Sequence, residues 1–281
     1  KRPHNPEYAD IPLTMGHYTR EDIPFYYTLA DAFTVCDQSY CGVMSSTTPN
    51  RCIFWTGTIR DEQRTDSKVY MRNDEISARP MTWKTFPERL HEAGVGWKYY
   101  QNELTNSGGL TDEESAWLCN FGCNVLEFFG AYNVEAYPGS IPYMRKSLQD
   151  LNRKILKAER KLPSETEAKA IARLRESIER DRSQAEILKT LLAKSGEARY
   201  KELTPRERAL HDAAFVTNAV DPQYRKMESI AFEDDGKQQH MHVPKGDIFA
   251  QFRKDVNEGK LPTISWLSAP EKFSDHQTST W

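Results

Sequence analysis

Three stretches of the chain repeat one pattern, an amphipathic helix with its own start signal and then a short apolar strand. The first opens at Thr19 with Asp22 three residues on, runs through Phe25, Leu29 and Ala32, and gives way to Phe33-Thr34-Val35-Cys36. In the second, Thr82 caps a helix carrying Phe86 and Leu90, Gly94 ends it, and Val95 to Tyr99 read as a strand. The third runs from Asp247 through Phe249, Phe252 and Val256 to Gly259, before the buried-strand run Thr263-Ile264-Ser265-Trp266-Leu267. Helix followed by strand, repeated, predicts a layered α/β sheet with crossover helices. With 281 residues, 38% of them hydrophobic, the chain is long enough to bury a sizeable core.

Residues 144–215 have a different composition. Leu148, Leu151 and Ile155 recur at helical steps, Pro163 interrupts, and Ser164 with Glu167 reads as a capping box. The stripe resumes through Ile171, Leu174, Ile178, Leu188, Leu191 and Leu192 among dense charge. This predicts a helical hairpin inserted between residues 1–143 and 216–281, packed on itself or, as an alternative, offered to a partner. A third helix follows, capped by Thr204 with Pro205 and Glu207 in its first turn.

Composition excludes some functions. A net charge of −3 and a pI near 6.2 give no positive field for a nucleic-acid backbone. No apolar run reaches the roughly 18 residues that span a bilayer, and the chain opens at Lys1-Arg2-Pro3-His4 without Met, as an excised or processed chain would. Five cysteines, Cys36, Cys41, Cys52, Cys119 and Cys123, are an odd number. Cys119 and Cys123 share helical spacing, but no second pair completes a zinc pattern, so small buried side chains are the simpler reading.

The chemistry-bearing segment is Cys41-Gly42-Val43-Met44-Ser45-Ser46-Thr47-Thr48-Pro49-Asn50-Arg51, a small-residue turn with four hydroxyls ahead of the apolar Cys52-Ile53-Phe54-Trp55. A hydroxyl at the start of a helix stands where backbone N–H groups favour an anion, so a phosphate could be cradled and attacked there. A Ser/Thr turn before a proline accounts for the same residues without chemistry. His240 and His242 alternate on a strand-like run and so share a face that could clamp a metal. A structural role is the simpler reading for both, as it is for His17.

Several blocks in one order carry a family resemblance. They are Met15 to Phe25, Leu29 to Asp37, Thr47-Thr48-Pro49-Asn50-Arg51, Val243-Pro244-Lys245-Gly246-Asp247, Leu261 to Leu267, Ala269-Pro270-Glu271 and Phe273-Ser274-Asp275-His276. Together they resemble the bacterial phosphocholine-specific phospholipases C, a family that also includes plant non-specific phospholipases C and certain acid phosphatases. The resemblance implies an alkaline-phosphatase-like three-layer α/β/α sandwich. It places the nucleophile on Thr47, three residues before Asn50, with Thr48 the variable position, and makes Thr47 a ligand of a divalent metal of unknown identity. It makes Asn50 a phosphate-binding or turn-holding residue and His276 a candidate to steady the phosphoryl group or the leaving oxygen.

The implied reaction releases diacylglycerol and phosphocholine from a phosphatidylcholine-type lipid through a covalent phosphothreonine, at a transient membrane surface and in a secreted or periplasmic location. Choline would need aromatic faces, for which Trp55, Trp97, Tyr99, Tyr100 and Trp117 are available. An acid phosphatase or broader phosphodiesterase on the same scaffold is the alternative enzyme, and an interaction module using the hairpin the non-enzymatic one. Relatives carry a Glu-Asn metal segment before this region and an Asp-rich one after it, and the chain has neither. The expectation is therefore an internal portion, a nucleophile without its full metal cage, little activity in isolation, and an incomplete sheet with an exposed edge.

Overall fold

The computed structural model describes residues 17–76, 80–105, 110–193, 196–234 and 236–274. The chain divides into two compact units, residues 1–41 and 42–281. In the first, the helix α1 spans Pro24–Ala32 and buries none of its residues. Thr19 and Asp22 do bond one another, side chain and backbone N–H both reaching the carboxylate at 2.7 Å. The helix starts later, at Pro24, whose fixed φ suits a first turn. The strand expected at Phe33-Thr34-Val35-Cys36 does not form. Phe33 is extended, at φ −128° and ψ 176°, but the run joins no ladder among the described residues, and extended backbone becomes a strand only when paired.

The second unit is a mixed α/β body. Its first helices are α2 (Thr47–Thr56), α3 (Asn73–Ile76) and α4 (Phe86–Glu92). Thr85, not Thr82, caps α4, because Glu88 stands three residues after Thr85 and returns the capping-box bond. The strand β1 follows at Trp97–Gln101, buried along nearly its whole length, and α5 spans Asp112–Leu118. After the long helices come β2 (Met227–Asp234) and β3 (Lys237–Pro244), then α10 (Ala250–Asn257) and β4 (Ile264–Ser268).

β1 and β4 pair in parallel from Trp97↔Ile264 to Gln101↔Ser268. On the other edge of β1, the Gln101 N–H donates to the Val216 carbonyl at 3.0 Å. β2 and β3 form a separate antiparallel ribbon. The helix-then-strand reading is thus realised in α4–β1 and α10–β4. α10 is tied to β1 through Asp255, whose carboxylate accepts from the Tyr100 hydroxyl at 2.6 Å and pairs with Lys98.

The core gathers Cys52 and Trp55 from α2, Leu90 from α4, Trp97 and Tyr99 from β1, and Val125, Leu126, Phe129 and Tyr132 from the turns after α5. Fully burying one such side chain contributes about 2–3 kcal/mol. Helices α6 (Ser140–Lys161) and α7 (Ala168–Ala193) pack on one another around Ile155, Ile178 and Ala185. Ser164 does not cap α7. Its hydroxyl donates to Lys161, and the Thr166 and Glu167 N–H groups bond the Glu165 carboxylate instead. The short α8 (Glu197–Glu202) leads to α9 (Pro205–Ala214), capped by Thr204 and Glu207 as read from the sequence. Leu210, Ala214 and Phe215 lie in the main core, so the self-packing part of residues 144–215 is α6 with α7. Among the described residues no helix is long and apolar enough to cross a membrane.

Candidate active-site cleft

The turn before α2 can exist only with particular residues. A side chain at Gly42 would stand 2.6 Å from Ile53 Cγ2, so the turn lies against α2 only because that residue has none. Its polar backbone is held by one carboxamide. Asn50 Oδ1 accepts from the Val43 N–H at 3.1 Å, while Nδ2 donates to the carbonyls of Val43 at 3.0 Å and Ser46 at 3.1 Å. The structure therefore gives Asn50 the turn-holding contact.

Ser46 is the N-cap residue of α2 but makes no side-chain cap bond. The Thr48 N–H is satisfied from elsewhere, by Asn73 Oδ1 at 2.9 Å. Thr47, in the first turn, is exposed. Among the described residues neither its hydroxyl nor its N–H has a partner, so both remain available to a ligand.

One turn further along α2, Arg51 lies on the same face. Its Nη1 donates to the Cys123 carbonyl at 3.3 Å and its Nη2 contacts Cys123 Sγ at 3.7 Å. Beyond it, Trp55 packs on Trp266 of β4 at a ring separation of 4.6 Å and on Tyr99 of β1 at 5.9 Å. Thr47, Asn50, Arg51, Phe54, Trp55, Tyr99, Cys123, Trp266 and Leu267 line a cleft of about 440 Å³, within the usual range for small-molecule sites. One end is a hydroxyl beside a guanidinium and the other is an aromatic wall. Burial raises the Tyr99 phenol above its ordinary value, so that wall stays uncharged.

Of the five aromatics available to choline, Trp55 and Tyr99 reach the cleft. Trp97 packs on Tyr132 and Trp266, Tyr100 is committed to Asp255 and Phe252, and Trp117 packs on Phe273. Asp275 and His276 lie outside the described residues. His240 and His242 are exposed on β3, where His242 faces Glu113 at 3.9 Å. None of the five cysteines forms a disulfide, and Cys119 and Cys123 sit at the end of α5 and in the following loop rather than on a helix face. Among the described residues no group of three or more His, Cys, Asp or Glu could hold a metal ion.

The loop that brings Cys123 to Arg51 rests on a buried carboxyl. Asn120 Oδ1 accepts from the Gly122 and Cys123 N–H groups, both at 3.2 Å. Asn120 Nδ2 in turn donates to Glu127 Oε1 at 3.2 Å, which also accepts from the Thr105 N–H and hydroxyl at 3.1 and 3.0 Å. Burial pushes the Glu127 carboxyl from 4.5 up to about 7, with Glu103 adding to the rise and the Thr105 and Asn120 bonds opposing it. A folded-state value above the unfolded one means that the folded protein binds more protons between pH 4.5 and about 7. The stabilisation is fully present below pH 4.5 and is lost as pH rises through about 7, a change of about 3 kcal/mol. We expect Glu127→Gln to flatten this part of the pH dependence of thermal stability. A mutant curve as steep as the native one would remove Glu127 as its source.

The chain matches the Phosphoesterase family over residues 3–166 and 200–281. Non-hemolytic phospholipase C of Burkholderia pseudomallei is 41% identical over 135 residues, which is 46% of this chain and 18% of that protein. Phospholipase C B of Mycobacterium tuberculosis is 43% identical over 103 residues, 36% of this chain and 20% of that protein. Non-hemolytic phospholipase C of Pseudomonas aeruginosa is 39% identical over 102 residues, 35% of this chain and 15% of that protein. The matched stretches thus span a fifth or less of each relative. No solved structure matches.

Proposed function

The chain belongs to the phosphoesterase family, and on that premise we propose that it carries the nucleophile of a phospholipase C cleaving phosphatidylcholine-type lipids to diacylglycerol and phosphocholine. The observation that supports this reading is the Thr47 hydroxyl, without a partner among the described residues, in one cleft with the Arg51 guanidinium and the Trp55, Tyr99 and Trp266 rings. A lipid phosphodiester with a quaternary ammonium headgroup needs those three things, a nucleophile, a cation for the phosphoryl oxygens and aromatic faces for the choline.

In this reading the Thr47 hydroxyl gives up its proton as its oxygen bonds to phosphorus, the bond to the diacylglycerol oxygen breaks, and that oxygen takes up one proton and leaves as the alcohol. Water then cleaves the phosphothreonine and releases phosphocholine. Asn50 serves the reaction by fixing the turn from which Thr47 projects, and His276 would steady the phosphoryl group or the leaving oxygen. The fold would be part of an alkaline-phosphatase-like sandwich, the protein secreted or periplasmic, and its contact with the membrane surface transient. The α6–α7 hairpin would be an insertion.

A divalent metal is implied by the same resemblance. The described cleft residues offer it the Thr47 and Tyr99 hydroxyls, a carboxamide and a thiol, beside a guanidinium that repels it and with no carboxylate or imidazole, and this donor set does not fit a hard divalent cation. Thr47 would be a single ligand, and the others would have to come from other residues.

Comparing p-nitrophenyl phosphorylcholine with p-nitrophenyl phosphate in the full-length natural protein tests the substrate class. An aromatic wall that reads choline predicts a kcat/KM higher for the diester by about tenfold or more. A preference for the monoester would favour the acid-phosphatase reading instead.

A further inference from the structure

We propose that Arg51 binds the non-bridging phosphoryl oxygens of the substrate, making the Thr47 end of the cleft a site for a tetrahedral oxyanion; this deepens the reading of Thr47 as nucleophile and rests on it. Arg51 is half-buried, yet among the described residues its side-chain hydrogen bonds go to neutral acceptors, the Cys123 carbonyl at 3.3 Å and the Cys123 sulfur at 3.7 Å. Among the described residues no carboxylate lies within 4.0 Å of its guanidinium. A guanidinium carries five N–H donors in a planar fork, and Cys123 engages one edge of it, leaving donors over for a ligand.

The position is set by elements that do not depend on a ligand. Residue 51 follows residue 47 by one helical turn, so the two side chains stand side by side on α2. The Cys123 contact then fixes the fork from the opposite wall. A cation drawn partly out of water without a counter-ion calls for an anion. Phosphoryl oxygens match the fork, and the charge on them persists through phosphoryl transfer. Arg51 thus holds the group that Thr47 attacks, while the Trp55, Tyr99 and Trp266 rings receive the other end of the headgroup.

The test is calorimetric titration of inorganic phosphate, and separately of choline, into the full-length natural protein carrying Thr47→Ala, with and without Arg51→Ala. Binding needs no nucleophile, so the result decides on Arg51 whether or not Thr47 proves to be one, and turnover by Thr47→Ala alone reports on the nucleophile reading separately. Phosphate affinity is expected to fall about 10- to 100-fold with Arg51→Ala while choline affinity is unchanged. Arg51→Lys, which keeps the charge and the stem but not the fork, is expected to lose about tenfold and serves if the alanine variant fails to fold. Unaltered phosphate affinity in the folded variant, or no phosphate binding by the parent, overturns the proposal.

Discussion

Thr47→Ala in the full-length natural protein is expected to lower kcat for p-nitrophenyl phosphorylcholine by about 10³-fold or more, with no loss of thermal stability. The loss of turnover follows from the proposed role of Thr47 as nucleophile, and the unchanged stability from the geometry. The Thr47 hydroxyl has no hydrogen-bond partner among the described residues and the side chain is exposed, so nothing in the fold depends on it. Removing a nucleophile takes away the covalent intermediate itself, and such losses are large. The turn that positions residue 47 is held by Asn50, Gly42 and Asn73, none of which is altered. Thr47→Ser should retain measurable turnover because it keeps the oxygen. Native turnover in Thr47→Ala would remove Thr47 as nucleophile, and a matching fall in stability would show that the side chain was holding the fold.

The legible part of this site was local. Thr47 and Asn50 lie in one short stretch, and their places in the first turns of α2 follow from a small-residue turn, Pro49 and an apolar helix face, whereas Arg51 beside them carries no role in the sequence reading. The α4–β1 and α10–β4 units were readable for the same reason, since each carries its period and stop signal within about twenty residues. The Arg51 contact with Cys123 spans 72 positions, and Trp266 meets Trp55 from the far end of the chain. No periodicity encodes such meetings, which are set by packing across the sheet.

The strand expected at Phe33 to Cys36 failed for a related reason. An apolar β-branched run specifies extended backbone, whereas a strand also needs a partner ladder. Capping was misplaced by the same kind of degeneracy. Thr82 and Thr85 both precede the α4 hydrophobic pattern, and only the reciprocal bond with Glu88 selects Thr85. Ser164 and Glu167 have the right spacing but lose to the nearby Glu165 carboxylate.

A second large effect is expected at Glu103, which sequence reading passed over because a single acidic residue after a strand carries no signal of its own. Glu103 is fully buried. Its carboxylate accepts from the Tyr137 hydroxyl at 2.7 Å and from the Tyr224 hydroxyl, and lies 3.2 Å from Arg225 Nε. Burial, with the Glu103 charge beside them, holds both phenols above their ordinary values, so they remain protonated donors to it. Arg225 is itself in the left-handed region, at φ +63°, a conformation that costs a non-glycine residue energy and persists only where neighbours enforce it. Glu103→Ala would leave two part-buried hydroxyls and a part-buried guanidinium without the buried carboxylate they share, and breaking such a pair from one side costs about 3–5 kcal/mol. Glu103→Gln keeps one acceptor oxygen, for one of the two tyrosines, and loses the other oxygen together with the charge, so it should cost somewhat less, about 2 kcal/mol. Urea unfolding of the two variants checks the order as well as the size. If alanine and glutamine cost the same, the single acceptor oxygen that glutamine keeps contributes nothing, and if both cost under about 1 kcal/mol, the network does not hold the segment after α9 to the end of β1.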